Sequence, residues 1–296
     1  MNTKLIETKS GTFSIIDTDT DAQAVIFLSG LGSFAYDFHF TIKDIESKFR
    51  CVAIDRLGLG DSSEPEMLRT ANIIAEEINT LLETLEIKNA IFVAHDSGSI
   101  YARRIAELFP DKVRSLLLVD PVTEKDDKFE ELNIPVWHSM ASIKARIDAM
   151  IQYKGIDRDI HKKMLKAMAD IMYERFPDDI KEKVIEYNSD KKCIETIIRE
   201  FNDRGAAFAE VGEKPLHIPV WVLMRDPAVM IAVSVQYDVP QYEAKIVEEL
   251  WLKNIYDMMN LSERSRLIES KGTDHNMPLN SPILIADYIR EIDRLK

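Results

Sequence analysis

Two hydrophobic periods alternate along this chain. Continuous apolar runs at Ala24–Leu28, Arg50–Ile54, Ala90–Ala94, Ser115–Val119, Pro219–Met224 and Ser265–Glu269 predict strands. Runs this apolar, without polar alternation, suit strands covered on both faces, as in a parallel sheet. Ahead of them, Lys4–Thr8 and Thr12–Asp17 are split by Lys9-Ser10-Gly11 and predict an opening hairpin. Helical spacing fills the intervals. Arg69–Glu86 aligns Ile74, Ile78, Leu81, Leu82 and Leu85, Ser99–Leu108 stops at Phe109-Pro110, and Lys245–Met259 and Ser281–Leu295 follow. The alternation predicts a doubly wound α/β fold with eight strands, mostly parallel, and helices on both faces.

One region breaks the pattern. From Val122 to about Leu216 no convincing strand occurs, and Ile143–Tyr153, Ile160–Arg175 and Asp179–Tyr187 carry helical patterns. This predicts a core formed by residues 1–121 and 217–296, with a helical cap, 122–216, inserted after the sixth strand. An insertion there sits over the carboxyl ends of the strands, where ligands of such sheets bind. Its aromatic and Met residues, among them Trp137, Met140, Met150, Tyr153, Met164 and Met168, are expected mainly to dock its helices on the core.

Composition narrows the function. The 296 residues hold 38 Lys+Arg against 51 Asp+Glu, a net charge of −13, and show no basic stripe, which argues against a nucleic-acid partner. Two cysteines, Cys51 and Cys193, are too few for a disulfide framework or a zinc ribbon. The polar opening residues lack a secretory core, and no apolar run approaches the roughly 20 residues of a membrane helix. The expectation is a cytoplasmic protein acting on a small-molecule substrate, with no metal or nucleotide cofactor motif.

The chemistry concentrates where the fifth strand runs into a helix through Ala94-His95-Asp96-Ser97-Gly98. A nucleophile on a sharp strand-to-helix turn requires small residues two positions before and after it. Ala94 and Gly98 satisfy this around Asp96. Around Ser97 the first such position would be His95, which does not fit.

This segment resembles the nucleophile elbow of the α/β-hydrolase fold family. Ser29-Gly30-Leu31-Gly32 resembles the family's oxyanion loop, Asp55-Arg56-Leu57-Gly58-Leu59-Gly60-Asp61-Ser62 its D-x-x-G-x-G-x-S loop, and Gly272-Thr273-Asp274-His275 its histidine loop. An elbow of the form H-D-x-G is similar to that of haloalkane dehalogenases and epoxide hydrolases. The resemblance implies that Asp96 attacks an electrophilic carbon to form an alkyl ester, that His275 activates water to hydrolyse it, and that the N–H groups of Leu31 and Ser97 form the oxyanion hole. Ser97 stands where dehalogenases carry Trp or Arg, and SGLG where epoxide hydrolases carry HGxP. Two other readings therefore stay open: a serine-type ester, lactone or peptide hydrolase using Ser97, and a catalytically silent, ligand-binding member of the fold.

Two carboxylates compete to orient His275. Asp120 ends the sixth strand, and Asp226 follows the seventh, the commoner family position, so Asp226 is slightly preferred. The competing reading of Asp226 is a plain surface ion pair with the adjacent Arg225, of little consequence. His95 is expected to pack and hydrogen-bond locally.

Overall fold

The computed structural model describes residues 3–212 and 214–295. Eight strands form one sheet: β1 (Lys4–Thr8), β2 (Gly11–Asp17), β3 (Ala24–Leu28), β4 (Arg50–Asp55), β5 (Ala90–Asp96), β6 (Val113–Pro121), β7 (Val220–Met224) and β8 (Ser265–Glu269). Their spatial order is β1-β2-β4-β3-β5-β6-β7-β8. β1 and β2 pair antiparallel, β2 joins β4 antiparallel, and every later pairing is parallel.

The helices are α1 (His39–Ile45), α2 (Ala71–Thr84), α3 (Gly98–Leu108), α4 (Pro135–Ala141), α5 (Ile143–Gly155), α6 (Arg158–Met172), α7 (Asp178–Asn188), α8 (Lys191–Ala209), α9 (Pro227–Gln236), α10 (Gln241–Asp257), α11 (Met277–Asn280) and α12 (Pro282–Asp293). None of those described is long and apolar enough to cross a membrane.

The continuous apolar runs have the reason expected of them: both faces of the sheet are covered. On β3, Ile26 and Leu28 join the cluster beneath α2, α3 and α10, while Val25 and Phe27 join the opposite cluster with α1 and α12. The stripe of α2 at Ile74, Ile78, Leu81 and Leu82 is fully buried, each side chain contributing about 1.5–3 kcal/mol relative to exposure. Arg69 lies just outside that helix rather than in it, and is itself buried, with its guanidinium on Glu77 at 2.8 Å.

Helices α4 to α8 lie between β6 and β7, and no strand interrupts them among the described residues. Helix α9 was not anticipated. Its sequence, PAVMIAVSVQ, is apolar all round and shows no helical face, yet Asp226-Pro227 is a helix-start signal that would have revealed it.

Candidate active site

At the end of β5 the chain turns sharply, and Asp96 takes φ +50. A non-glycine residue in this left-handed region costs about 1–3 kcal/mol and persists only where its surroundings over-determine it. The surroundings here are two close backbone approaches. A Cβ on Gly98 would stand 2.5 Å from the Leu28 carbonyl oxygen, and one on Gly30 would stand 2.7 Å from both Cβ and Oδ2 of Asp96. The small residue expected at position 98 is therefore a steric requirement of the turn, and Gly30 keeps the facing loop clear of the Asp96 side chain.

Leu31 N–H donates to Asp96 Oδ2 at 3.0 Å, and the backbone N–H of Ser97 also bonds this carboxylate. Burial opposes the Asp96 charge, but the nearby imidazoles of His275 and His95 and these N–H groups outweigh it and hold its pKa at about 2. The Ser97 hydroxyl is buried and has no hydrogen-bond partner. No base stands ready to activate it, which weighs against the serine reading.

His275 extends from the loop between β8 and α11. Its Nδ1 lies 2.6 Å from Asp120 Oδ2, and Asp120 Oδ1 accepts from Arg225 Nη1 at 2.7 Å. Burial raises the Asp120 pKa, but Arg225 and His275 lower it further, to a net value below the usual carboxylate range. An ionised Asp120 accepts the Nδ1 proton, which leaves Nε2 as the free nitrogen. Burial also opposes the His275 cation. The Asp120 hydrogen bond and charge, with the charge of Asp96 behind them, prevail and raise the imidazole above its ordinary 6.5. Like Asp96, Asp120 has a positive φ, +41.

The preference for Asp226 needs correction. Its Oδ1 accepts from Ala228 N–H at 3.0 Å and caps α9, and its Oδ2 accepts from Gly272 N–H at 2.9 Å. It ties down the histidine loop but does not touch the imidazole. The reading of Arg225 as a surface pair is also overturned. Its guanidinium bridges Asp120 and Glu248 (2.7 Å to each) and stacks 3.8 Å over the Trp251 ring centroid. His95 does bond locally: Nε2 lies 2.8 Å from the His275 carbonyl oxygen. Burial, with the positive charge of His275, pushes its pKa down to about 4, so its ring is neutral and donates that hydrogen bond.

His95, Asp120 and His275 bring potential metal-ligating atoms within 4.8 Å of one another. Asp120 is already bonded to His275 and Arg225, and His95 to the loop carbonyl, so the arrangement reads as a chain of hydrogen bonds.

Asp96 and His275 line one cavity of about 820 Å³, roofed by α4 to α6 and flanked by α8 to α10. The aromatic and Met side chains of the inserted helices divide. Tyr173 and Phe176 dock the segment as expected. Trp137, Met140, Met150, Tyr153, Met164 and Met168 instead wall the cavity. A docking stripe and a pocket wall have the same helical spacing, so periodicity alone does not separate them.

Known proteins resemble this chain in sequence and fold. Residues 23–149 match the family model described as alpha/beta hydrolase fold. Epoxide hydrolase 1 of Caenorhabditis elegans is 31% identical over 119 residues, 39% of this chain and 30% of the relative. The haloalkane dehalogenase of Agrobacterium fabrum is 24% identical over 106 residues, 36% of this chain and 35% of that one. The matched region thus spans about a third of these curated relatives' length. Over its full length the chain superposes on the crystal structure of epoxide hydrolase VrEH1 from Vigna radiata with a TM-score of 0.69, covering 99% of this chain and 98% of that one at 16% identity. With the elbow, the strand order and these matches in agreement, the chain has the α/β-hydrolase fold.

Proposed function

We propose that the chain is a hydrolase that opens an epoxide through an alkyl ester on Asp96. The reading rests on one observation: an ionised carboxylate, its Oδ2 already held by a backbone N–H, shares a cavity with an imidazole bonded to a buried carboxylate. In this reading Asp96 Oδ1 attacks a ring carbon and the carbon–oxygen bond breaks. The released oxygen takes a proton, for which we assign Tyr153 of the cavity wall as donor. Asp96 Oδ2 becomes the ester carbonyl oxygen. His275 Nε2 then removes a proton from water, and the hydroxide adds to Cγ of Asp96 while the Leu31 and Ser97 N–H groups hold the oxyanion. Collapse expels the alkoxide, which takes the proton of the newly added hydroxyl to give the diol and an ionised Asp96, and the proton on His275 returns to Tyr153. Residues 122–216 serve as a cap that encloses this chemistry, and Asp120 is the triad acid.

An epoxide is favoured over a carbon–halogen bond because Ser97 offers a leaving halide neither ring N–H nor charge. The structural relatives support the same choice, since several are named epoxide hydrolases.

The test is a single turnover in ¹⁸O-water with enzyme in excess over 1,2-epoxyhexane. The heavy oxygen should enter the Asp96 side chain, and the first diol should carry an unlabelled oxygen from the enzyme. Heavy oxygen found in the first diol and absent from Asp96 would mean that water attacks the epoxide directly, and the ester mechanism would be abandoned.

A pH dependence follows from the same geometry. Ester hydrolysis needs neutral His275, whose pKa is raised in the fold, so the rate should climb with pH through a midpoint above 6.5. Asp96, at about 2, adds no second inflection in the working range. Asp120→Asn removes the charge that favours the imidazolium and should lower that midpoint, whereas Asp226→Asn should leave it in place. A midpoint that responds to position 226 and ignores position 120 would reverse the assignment of the acid.

A further inference from the structure

One charged group in the cavity wall has no role in the reaction proposed above. Arg146, in the first turn of α5, faces the cavity. Its Nε donates to the Ala141 carbonyl oxygen at 3.0 Å, which fixes the plane of the guanidinium and leaves both Nη groups without an acceptor among the described residues. Among the described residues no carboxylate comes within 4.0 Å of it. The neighbouring cation in the same wall, Arg204, is differently placed: it pairs with Asp127 at 3.3 Å and lies over the Phe208 ring. The other cavity arginine, Arg225, is shared between Asp120 and Glu248. Among the described residues Arg146 is thus the cavity guanidinium with no carboxylate in contact, Glu130 acting on it only at longer range. The side chain stands at the open edge of the cavity; the protein atoms around it and the charge of Arg204 push its pKa down, while the charges of Asp96 and Glu130 act in the opposite sense without touching it.

We infer that Arg146 is a specificity-determining residue that binds a carboxylate on the substrate, placed a few bonds from the carbon that Asp96 attacks. This inference deepens the epoxide reading and rests on it for the nature of the electrophile. The chemistry is that of a fork. With Nε anchored, the two Nη groups present parallel N–H donors to a two-oxygen anion, the geometry that guanidinium and carboxylate share. A spherical leaving group would use only one edge of it. The position also answers an electrostatic problem. Asp96 is ionised, so an anionic substrate approaching it is repelled unless a cation on the far wall offsets that charge. The apolar part of the wall, including Trp137, Met150 and Met164, takes the carbon chain between the two ends.

The experiment compares 5,6-epoxyhexanoate with 5,6-epoxyhexanamide, which carry the same epoxide and differ only at the far end. The wild-type enzyme should favour the carboxylate in kcat/KM. Arg146→Ala should cost about 30-fold on the carboxylate, mainly through KM, the scale of a charge-assisted hydrogen-bonded pair. On the amide it should change little, and Arg146→Lys should recover part of the loss by charge alone. A second measurement needs no turnover: calorimetry of hexanoate and hexanamide with Asp96→Asn protein, with and without the Arg146→Ala change. Hexanoate should bind more tightly, and the preference should vanish with Arg146. If neither epoxide turns over while hexanoate binding still depends on Arg146, the reaction assigned to Asp96 fails and the carboxylate site stands. If both epoxides turn over and Arg146→Ala slows them equally, the guanidinium serves the reacting centre and the carboxylate site is refuted. Hexanoate binding that ignores Arg146 refutes it as well.

Discussion

Replacing His275 by Gln is expected to convert the protein into its own trapped intermediate. The two half-reactions make different demands. Asp96 is ionised without help from a base, held at about 2 by the imidazoles and the Leu31 and Ser97 N–H groups. In the proposed reaction alkylation therefore proceeds without His275. Hydrolysis of the ester does not, because water is a weak nucleophile and loses the base that takes its proton, a contribution of about 10²–10⁴-fold in rate. Incubated with 1,2-epoxyhexane, His275→Gln protein should gain the mass of one epoxide, with the added mass on the peptide that contains Asp96. Steady-state turnover should fall by about a thousandfold. The adduct should be absent from Asp96→Asn/His275→Gln protein. Added mass on Ser97 would revive the serine reading, and a His275→Gln protein that gains no mass while the wild type turns over would end the covalent one.

Why the elbow was legible and its acid was not is a matter of range. Asp96 is marked by the composition of its own turn: small residues stand two positions to either side of it, and Gly98 is held small because it packs against the Leu28 and Ser29 carbonyls of the neighbouring strand end. Such steric demands leave small residues at fixed offsets, and these can be read from the chain directly. The choice between Asp120 and Asp226 depends instead on where β6 and β7 end relative to a loop more than 40 residues further on. Both end beside the right crevice. The difference is that β6 runs on to Pro121, so Asp120 turns toward His275, whereas Asp226 starts a helix and uses its oxygens on the N–H groups of Ala228 and Gly272. Arg225 was misjudged for a related reason. Its buried place between Asp120, Glu248 and the Trp251 ring is assembled from three separate elements, β6, the end of β7 and α10. Arg146 is missed because helical spacing does not separate a charged side chain that faces solvent from one that lines a cavity.

The largest loss of stability is expected from an ion pair behind the loop that faces Asp96. Arg56, in the loop after β4, and Glu200, in α8, are both fully buried, and the guanidinium meets the carboxylate twice, at 3.0 Å through Nε and 2.8 Å through Nη2. The other hydrogen bonds of Arg56 reach the oxyanion loop: Nη1 donates to the Ser29 carbonyl at 2.6 Å, and Nη2 to that of Gly30 at 3.1 Å. One side chain thus fastens the inserted helices to the sheet and holds the backbone that carries the Leu31 N–H. Glu200→Ala leaves the Arg56 charge buried without its partner, and should lower unfolding stability by about 3–5 kcal/mol in chemical denaturation. Replacing both residues by Met removes the stranded charge together with the pair, and stability should return most of the way to wild type. Activity should not return with it, because Ser29 and Gly30 have lost the donor that sets the loop against Asp96. A double variant as active as wild type would show that the loop holds its own position. A Glu200→Ala protein within about 1 kcal/mol of wild type would show that water reaches the buried guanidinium, and the pair would then count as no more than a surface bridge.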